Sequence, residues 1–315
     1  MNTTVRTLAL SAALAVIITI SLAYSWPIQD DYHPLNQDWN GCSDLANSAQ
    51  NVTMLFSYEQ PLPHGKSLLA IIGPSVEFST QESSKIHEFL SDGGIVLLAD
   101  DFGTGNTLLQ GLNISARFSG KGLSDLYYYE KQPSFPLIYN FAPSQVTANV
   151  TSLILNRPSY IELQNNSANL TQLGFSSLFS FIDLHGDNKP SPNETLDSYL
   201  IMASVFVGGG ELILISDPSM FNNQMITLHD NRRLFMNILE MGDGSLMFDL
   251  AHLQKAPLTD WRTTLKVDLH SARTGFLANP RISYIAATLS ALAVLTFFLY
   301  SVKASKRKHR KSSDN

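Results

Sequence analysis

Residues 67–101 read SLLAIIGPSVEFSTQESSKIHEFLSDGGIVLLADD, and this stretch decides the fold. SLLAIIG (67–73) is a short apolar run closed by Gly-Pro, the pattern of a strand buried on both faces. STQESSKIHEFLSDGG (79–94) opens on Ser79 and Glu82 at capping-box spacing. It sets Ile86, Phe89 and Leu90 on one helical face and stops at Gly-Gly. IVLLADD (95–101) is a second buried strand. Strand, helix and strand within about 35 residues need a crossover, so the reading is a βαβ unit: a parallel sheet with helices on its faces.

The pattern returns late in the chain. GELILISDP (210–218) is another apolar strand, ending in Asp-Pro. DNRRLFMNILE (230–240) is a helix with Asp230 as its expected cap and Leu234, Ile238 and Leu239 turned inward. Between the blocks, LYYYEKQ and SLILNRPSYIEL predict a β-rich insertion over about 118–200. The expected α/β domain therefore covers 67–247. Residues 27–66, rich in Pro, Asn, Asp and Ser, read as an entry or stalk segment, and 248–281 as a connector.

Both ends are apolar. Leu8 to Tyr24 and Ile282 to Val302 carry no charge, and each is expected to cross a membrane. For residues 1–26 a cleaved signal peptide is the alternative to a transmembrane anchor. The tail 303–315 holds Lys303, Lys306, Arg307, Lys308, Arg310 and Lys311, and Arg6 precedes the first apolar run. By the positive-inside rule both termini are expected in the cytoplasm and the main domain outside the cell. The partners expected are the membrane and another membrane or surface protein. Without Arg6, the tail bases and Asp314, 14 basic residues face 26 acidic ones, about −12, which argues against nucleic acid. The single cysteine, Cys42, excludes an internal disulfide. Glycosylation sequons stand at Asn51, Asn113, Asn149, Asn165, Asn169 and Asn193.

Polar residues gather where strands end. Asp100, Asp101, Gly103, Thr104, Gly105 and Asn106 follow one strand; Asp217, Ser219, Asn222 and Asn223 follow another. Ligands in open α/β sheets bind at the carboxyl ends of the strands, so these ten residues are the candidate ligand set. The same residue types also build ordinary strand-to-helix turns. GTG at 103–105 lacks the third glycine and the lysine of phosphate-binding loops. For acid–base chemistry the candidates are Asp100, Asp217, Asp249 and His252.

FIDLHGDNKPSPNET (181–195) has the spacing of a twelve-residue calcium loop, with Asp183, Asp187 and Glu194 as carboxylate ligands and Lys189 supplying a backbone carbonyl. Calcium is the one cofactor the sequence suggests. His185 is a poor ligand for a hard cation, and Asn188 stands where the sharp turn wants glycine. A polar, calcium-free turn is the alternative.

DYHPLNQDWNGCSDL (31–45), FLSDGGIVLLADDFGTGNTLL, SFIDLHGDNKPSPNE, GGGELILISDPSMFNN, DNRRLFMNIL and FDLAH (248–252) together resemble an uncharacterised, mostly archaeal family of membrane-anchored proteins with a class I glutamine amidotransferase-like domain. The resemblance implies a flavodoxin-like three-layer sandwich and an auxiliary role beside transport or ATPase-linked membrane complexes. The chain departs from a working amidotransferase. Asp100 follows the strand where a Cys nucleophile is needed, Cys42 precedes the first expected strand, and the family's Asp-Glu-x-His is Asp249-Leu250-Ala251-His252 here. The expectation is a non-catalytic domain that binds a ligand or a partner protein, with a hydrolase or transferase using the strand-end Asp and His residues as the rival.

Overall fold

The computed structural model describes residues 3–63, 65–164 and 170–278. One compact unit is Pro27–Thr259; a second is made from the two ends of the chain. The larger unit is a mixed α/β domain around one eight-stranded sheet. Its strands are β1 (Asn51–Leu55), β2 (Leu68–Ile72), β3 (Ile95–Ala99), β4 (Asn140–Phe141), β5 (Leu170–Phe175), β6 (Leu200–Val207), β7 (Gly210–Ile215) and β8 (Ser245–Asp249). The spatial order is β1-β8-β2-β3-β7-β6-β5-β4. The first five strands of that order run parallel, and the last three continue antiparallel. The register aligns Ile72 with Ala99 and Ala99 with Ile215, so β2, β3 and β7 end level with one another.

Besides a four-residue helical turn, Ser43–Ala46, the helices are α1 (Thr3–Ser25), α2 (Thr80–Ser91), α3 (Asn106–Gly111), α4 (Asn231–Glu240) and α5 (Thr259–Ala278). In α2 the capping box forms: Ser79 Oγ accepts from Glu82 N, and Glu82 Oε2 accepts from Ser79 N at 2.8 Å. At α4 the expected cap does not form. Asp230 instead accepts from Thr151 N at 2.7 Å and Ser152 N at 3.1 Å, tying the helix start to the insertion.

Alternation along the strands builds two cores. Leu68, Ala70 and Ile72 pack with Leu234, Phe235 and Ile238 of α4 on one face. Leu69 and Ile71 pack with Ile86, Phe89 and Leu90 of α2 on the other. A sheet covered on both faces explains the unbroken apolar runs. Each fully buried Leu, Ile or Phe stabilises the fold by roughly 1.5–3 kcal/mol. The insertion is made of short strands: Ala116–Phe118 pairs with Ile161–Leu163, Leu123–Asp125 with Ser180–Ile182, and Leu137–Ile138 with Leu153–Ile154.

Two expectations change. Residues 27–66 are no stalk: they supply β1, paired in parallel with β8, and bury His33, Asn36, Cys42 and Leu45 completely. The two-pass topology, with its cell-membrane localisation, is also corrected. Among the described residues no helix is long and apolar enough to cross a membrane. α1 runs over 23 residues, Thr3–Ser25. The second expected span, 282–302, the basic tail, and the sequons at Asn165 and Asn169 lie outside the described residues.

Candidate functional site

A cleft of about 640 Å³ opens at the carboxyl ends of the parallel strands. Its walls are residues 73–75 after β2, Phe102 and Thr104 after β3, 253–256 after β8, and 29–32 of the entry segment. The entry segment is held there by side chains. Asn223 Nδ2 donates to the carbonyls of Asn36 and Asp38, and its Oδ1 accepts from Asp44 N. Asp30 accepts from Ala256 N and Thr259 Oγ1, each at 2.6 Å. Gly73, at φ +61°, lets the Tyr32 ring lie against its Cα; a Cβ there would come within 2.4 Å of that ring. Tyr32 Oη shares a 3.0 Å hydrogen bond with Ser219 Oγ.

Three carboxyl groups gather beneath this wall. Asp100 is fully buried and accepts from Phe102 N at 2.9 Å, Gly103 N at 3.2 Å and Gly105 N at 2.7 Å. Burial raises its pKa, and these amides oppose the rise. Asp217, also fully buried, accepts from Asn156 N at 2.7 Å and Ser219 N at 2.8 Å. Burial lifts it well above the usual carboxylate range, with Asp101 adding repulsion. Asp101 is different. Its Oδ1 is buried without a hydrogen-bond partner. Burial first, and the Asp100 charge second, push its pKa up to about 7. Burial also raises the Tyr32 phenol, with Asp101 and Asp217 adding to it.

Most of the predicted ligand residues build turns. Gly105 admits its own amide to Asp100; a Cβ there would lie 3.1 Å from Asp100 Oδ2. Asn106 clasps Phe118, donating to its carbonyl at 2.9 Å and accepting from its amide at 2.8 Å. Asn222 accepts from Met225 N. Gly103 takes φ +93° in the Asp100 turn. Of the ten, Thr104 lines the cleft, and Ser219 reaches it through Tyr32. The sequence reading missed Tyr32, Phe102 and residues 253–256, which sit in segments without periodicity. The turn-forming DDYHP (30–34) marks Tyr32 in the sequence.

Asp249 and His252 do meet: His252 Nδ1 and Asp249 Oδ2 are 2.8 Å apart, both residues buried. The imidazole stacks on Phe78 with centroids 3.6 Å apart, and its Nε2 lies 3.7 Å from Glu82 Oε2. That is a packed pair on the α2 face of the sheet, while Asp100 and Asp217 cluster with Asp101. Cys42 is buried against the Phe221 carbonyl, and burial pushes its thiol up, which leaves it protonated and unreactive.

The carboxylates of the 183–194 loop do not converge. Asp183 accepts from the amides of Gly186, Asp187 and Asn188. Glu194 accepts from Leu184 N at 2.8 Å, Ser191 N at 2.7 Å and His185 Nδ1 at 3.1 Å. Asp187 accepts from Lys189 N. Asn188 makes the turn at φ +60°. Among the described residues no group of three or more His, Cys, Asp or Glu side chains is placed to hold a metal ion. In the expected calcium set of Asp183, Asp187, Lys189 and Glu194, backbone amides satisfy the carboxylates within the turn.

Fold and cleft define an α/β domain with a polar crevice at the carboxyl edge of a mainly parallel sheet. The chain belongs to the family described as a domain of unknown function, DUF4350, whose model matches residues 34–239. This replaces the resemblance to membrane-anchored amidotransferase-like proteins. No curated protein matches the chain. Among solved structures it is similar to the mmIFT52 N-terminal domain, at 16% identity and TM-score 0.42, over 55% of this chain and 75% of that one. A beta-galactosidase from Bacillus circulans sp. alkalophilus matches at 8% identity and TM-score 0.32, over 55% of this chain and 22% of the enzyme. An exo-beta-1,4-mannosidase from Opitutaceae bacterium strain TAV5 matches at 12% identity and TM-score 0.29, over 63% of this chain and 28% of the enzyme. The chain spans roughly a quarter of each glycosidase, and likenesses this distant carry nothing about activity.

Proposed function

We propose that the domain is a non-catalytic binding module that takes a small polar ligand in the cleft at the ends of β2, β3 and β8. One observation carries the reading. Phe102 stands 80% exposed on the cleft wall, while buried Asp100 fixes its backbone from below. A large aromatic displayed in water from a fixed backbone beside a concave polar site is a contact surface awaiting an occupant. The cleft volume falls within the roughly 300–1,000 Å³ of small-molecule sites. Helices on both faces of the sheet support the flavodoxin-like three-layer reading, in which ligands sit at this edge.

The test is the melting temperature of the whole chain against a library of small polar metabolites. A true ligand at a hundredfold over Kd adds about 2.7 kcal/mol of stability. Phe102→Ala should reduce that gain while keeping the unliganded melting temperature. Equal shifts in both proteins, or no shift with any compound, would overturn the reading.

The rival, acid–base chemistry, has Asp101 behind it: one buried oxygen lacks a hydrogen-bond partner, and burial pushes the pKa up to about 7. Turnover of a bound compound by the native protein, abolished in Asp101→Asn with binding retained, would favour it.

A further inference from the structure

A second concavity lies away from the cleft, on the insertion. About 400 Å³ in volume, it is lined by Tyr128, Tyr139, Asn140, Leu178 and Phe179 with neighbouring Leu137, Phe175 and Ser177, none of them charged. Its rings are exposed: Tyr139 by 53%, Tyr128 by 44% and Phe179 by 40%. They form an angled wall. Tyr128 meets Tyr139 edge-on at 5.9 Å, and Tyr127 meets Phe179 edge-on at 4.8 Å.

This wall is held in place by a buried carboxylate. Asp125 Oδ1 accepts from the amides of Tyr127 and Tyr128, at 2.9 and 2.8 Å. Its Oδ2 accepts from Ser177 Oγ at 2.5 Å and Ser180 Oγ at 2.7 Å. Four donations to one side chain fasten the two ring-bearing loops together. The backbones that carry Tyr127, Tyr128 and Phe179 are therefore preorganised, which lowers the entropy lost when something binds there.

We propose that this groove binds a neutral saccharide. Three features select that chemistry. An uncharged lining discriminates against ionic ligands, which would lose hydration without gaining a counter-charge. A concavity of this size suits a small molecule; a standard protein interface buries about 800 Å² per partner. Beside the rings the lining holds polar groups with hydrogen-bonding capacity: the Tyr128 and Tyr139 hydroxyls and the exposed Asn140 amide. A sugar presents C–H faces to the rings and hydroxyls to those groups; a purely apolar ligand would leave the polar groups dry and unpaired.

The experiment titrates the whole chain with maltotriose, cellotriose and mannotriose, using trigalacturonate as the anionic contrast, read by calorimetry. At least one neutral trisaccharide should bind. Tyr139→Ala and Phe179→Ala should each weaken it by about tenfold, or ~1.4 kcal/mol. Tyr139→Phe, which keeps the ring and loses the hydroxyl, should fall in between. Phe206→Ala, at an exposed aromatic elsewhere on the sheet, should change nothing. Melting curves establish that each variant folds. The proposal is overturned if no neutral trisaccharide binds, if trigalacturonate binds as tightly, or if affinity survives both ring removals. It also falls if an apolar dye occupies the Tyr139-dependent site while the sugars do not.

Discussion

Asp101→Asn should make the protein more stable at alkaline pH and leave it nearly unchanged in acid. In the folded chain, burial and then Asp100 raise the Asp101 pKa from the usual 3.8 to about 7. Unfolding releases that strain, so between those two values the folded state holds a proton that the unfolded state does not. Stability from this group is fully present below about pH 4 and is lost as pH rises toward 7, at up to ~1.4 kcal/mol per pH unit. Across the whole interval the upper bound is ~4 kcal/mol, and relaxation around a partly buried group brings the expected difference to ~2–4 kcal/mol at pH 8. Asparagine is neutral and nearly isosteric, so it removes the penalty without opening a cavity. Asp100 and Asp217 carry raised values of their own and remain in the variant, so some alkaline decline persists. Urea unfolding followed by fluorescence at pH 4.5, 6 and 8 measures the divergence. A variant that is less stable than the native chain at pH 8, or a difference that does not change with pH, would refute the argument.

Two further outcomes are expected. Gly210→Ala should destabilise by at least ~2 kcal/mol, because its Cβ would lie 2.1 Å from the Gly94 carbonyl oxygen and 2.4 Å from that of Leu90, and backbone cannot move aside cheaply; an unaltered melting curve would contradict this. Glu194 is held below the usual carboxylate range, first by donation from Ser191 N and also by donations from Leu184 N and His185. Its contribution is thus present at neutral pH and fades as pH falls through the lowered value. Glu194→Gln should speed hydrogen exchange at Leu184 and Ser191 at neutral pH, with calcium making no difference; unchanged protection would count against the loop geometry.

The central strands were legible because burial on both faces leaves a continuous apolar run, and α2 was legible because Ser79 and Glu82 stand at capping-box spacing. Other elements left no such trace. β1, with Asn51, Thr53 and half-exposed neighbours, is an edge strand that needs one apolar contact face only. The entry segment is anchored by the Asn223 amide, whose bonds to Asn36 and Asp38 are long-range in sequence and have no period. Asp230 has the right identity and position for a helix cap, yet its carboxylate turns to Thr151, since a tertiary donor pair outcompetes the local one.

The candidate site teaches something sharper about polar residues at strand ends. Asp100 looks like a ligand group in sequence, but a carboxylate that already accepts three amide hydrogen bonds has little capacity left for a ligand. The same holds for Asp217 and for Asp183 in its loop. What separates Asp101 from these neighbours is the lack of a partner for one buried oxygen, and that depends on how the backbone turns, a property no residue type encodes. The turn carboxylates act one step removed from the ligand: Asp100 fixes the backbone that displays Phe102, and Asp125 fixes the loops that display Tyr128 and Phe179. In both places a buried acid preorganises an exposed aromatic. On the two proposed readings recognition rests on the rings, with the conspicuous Asp residues as their scaffolding.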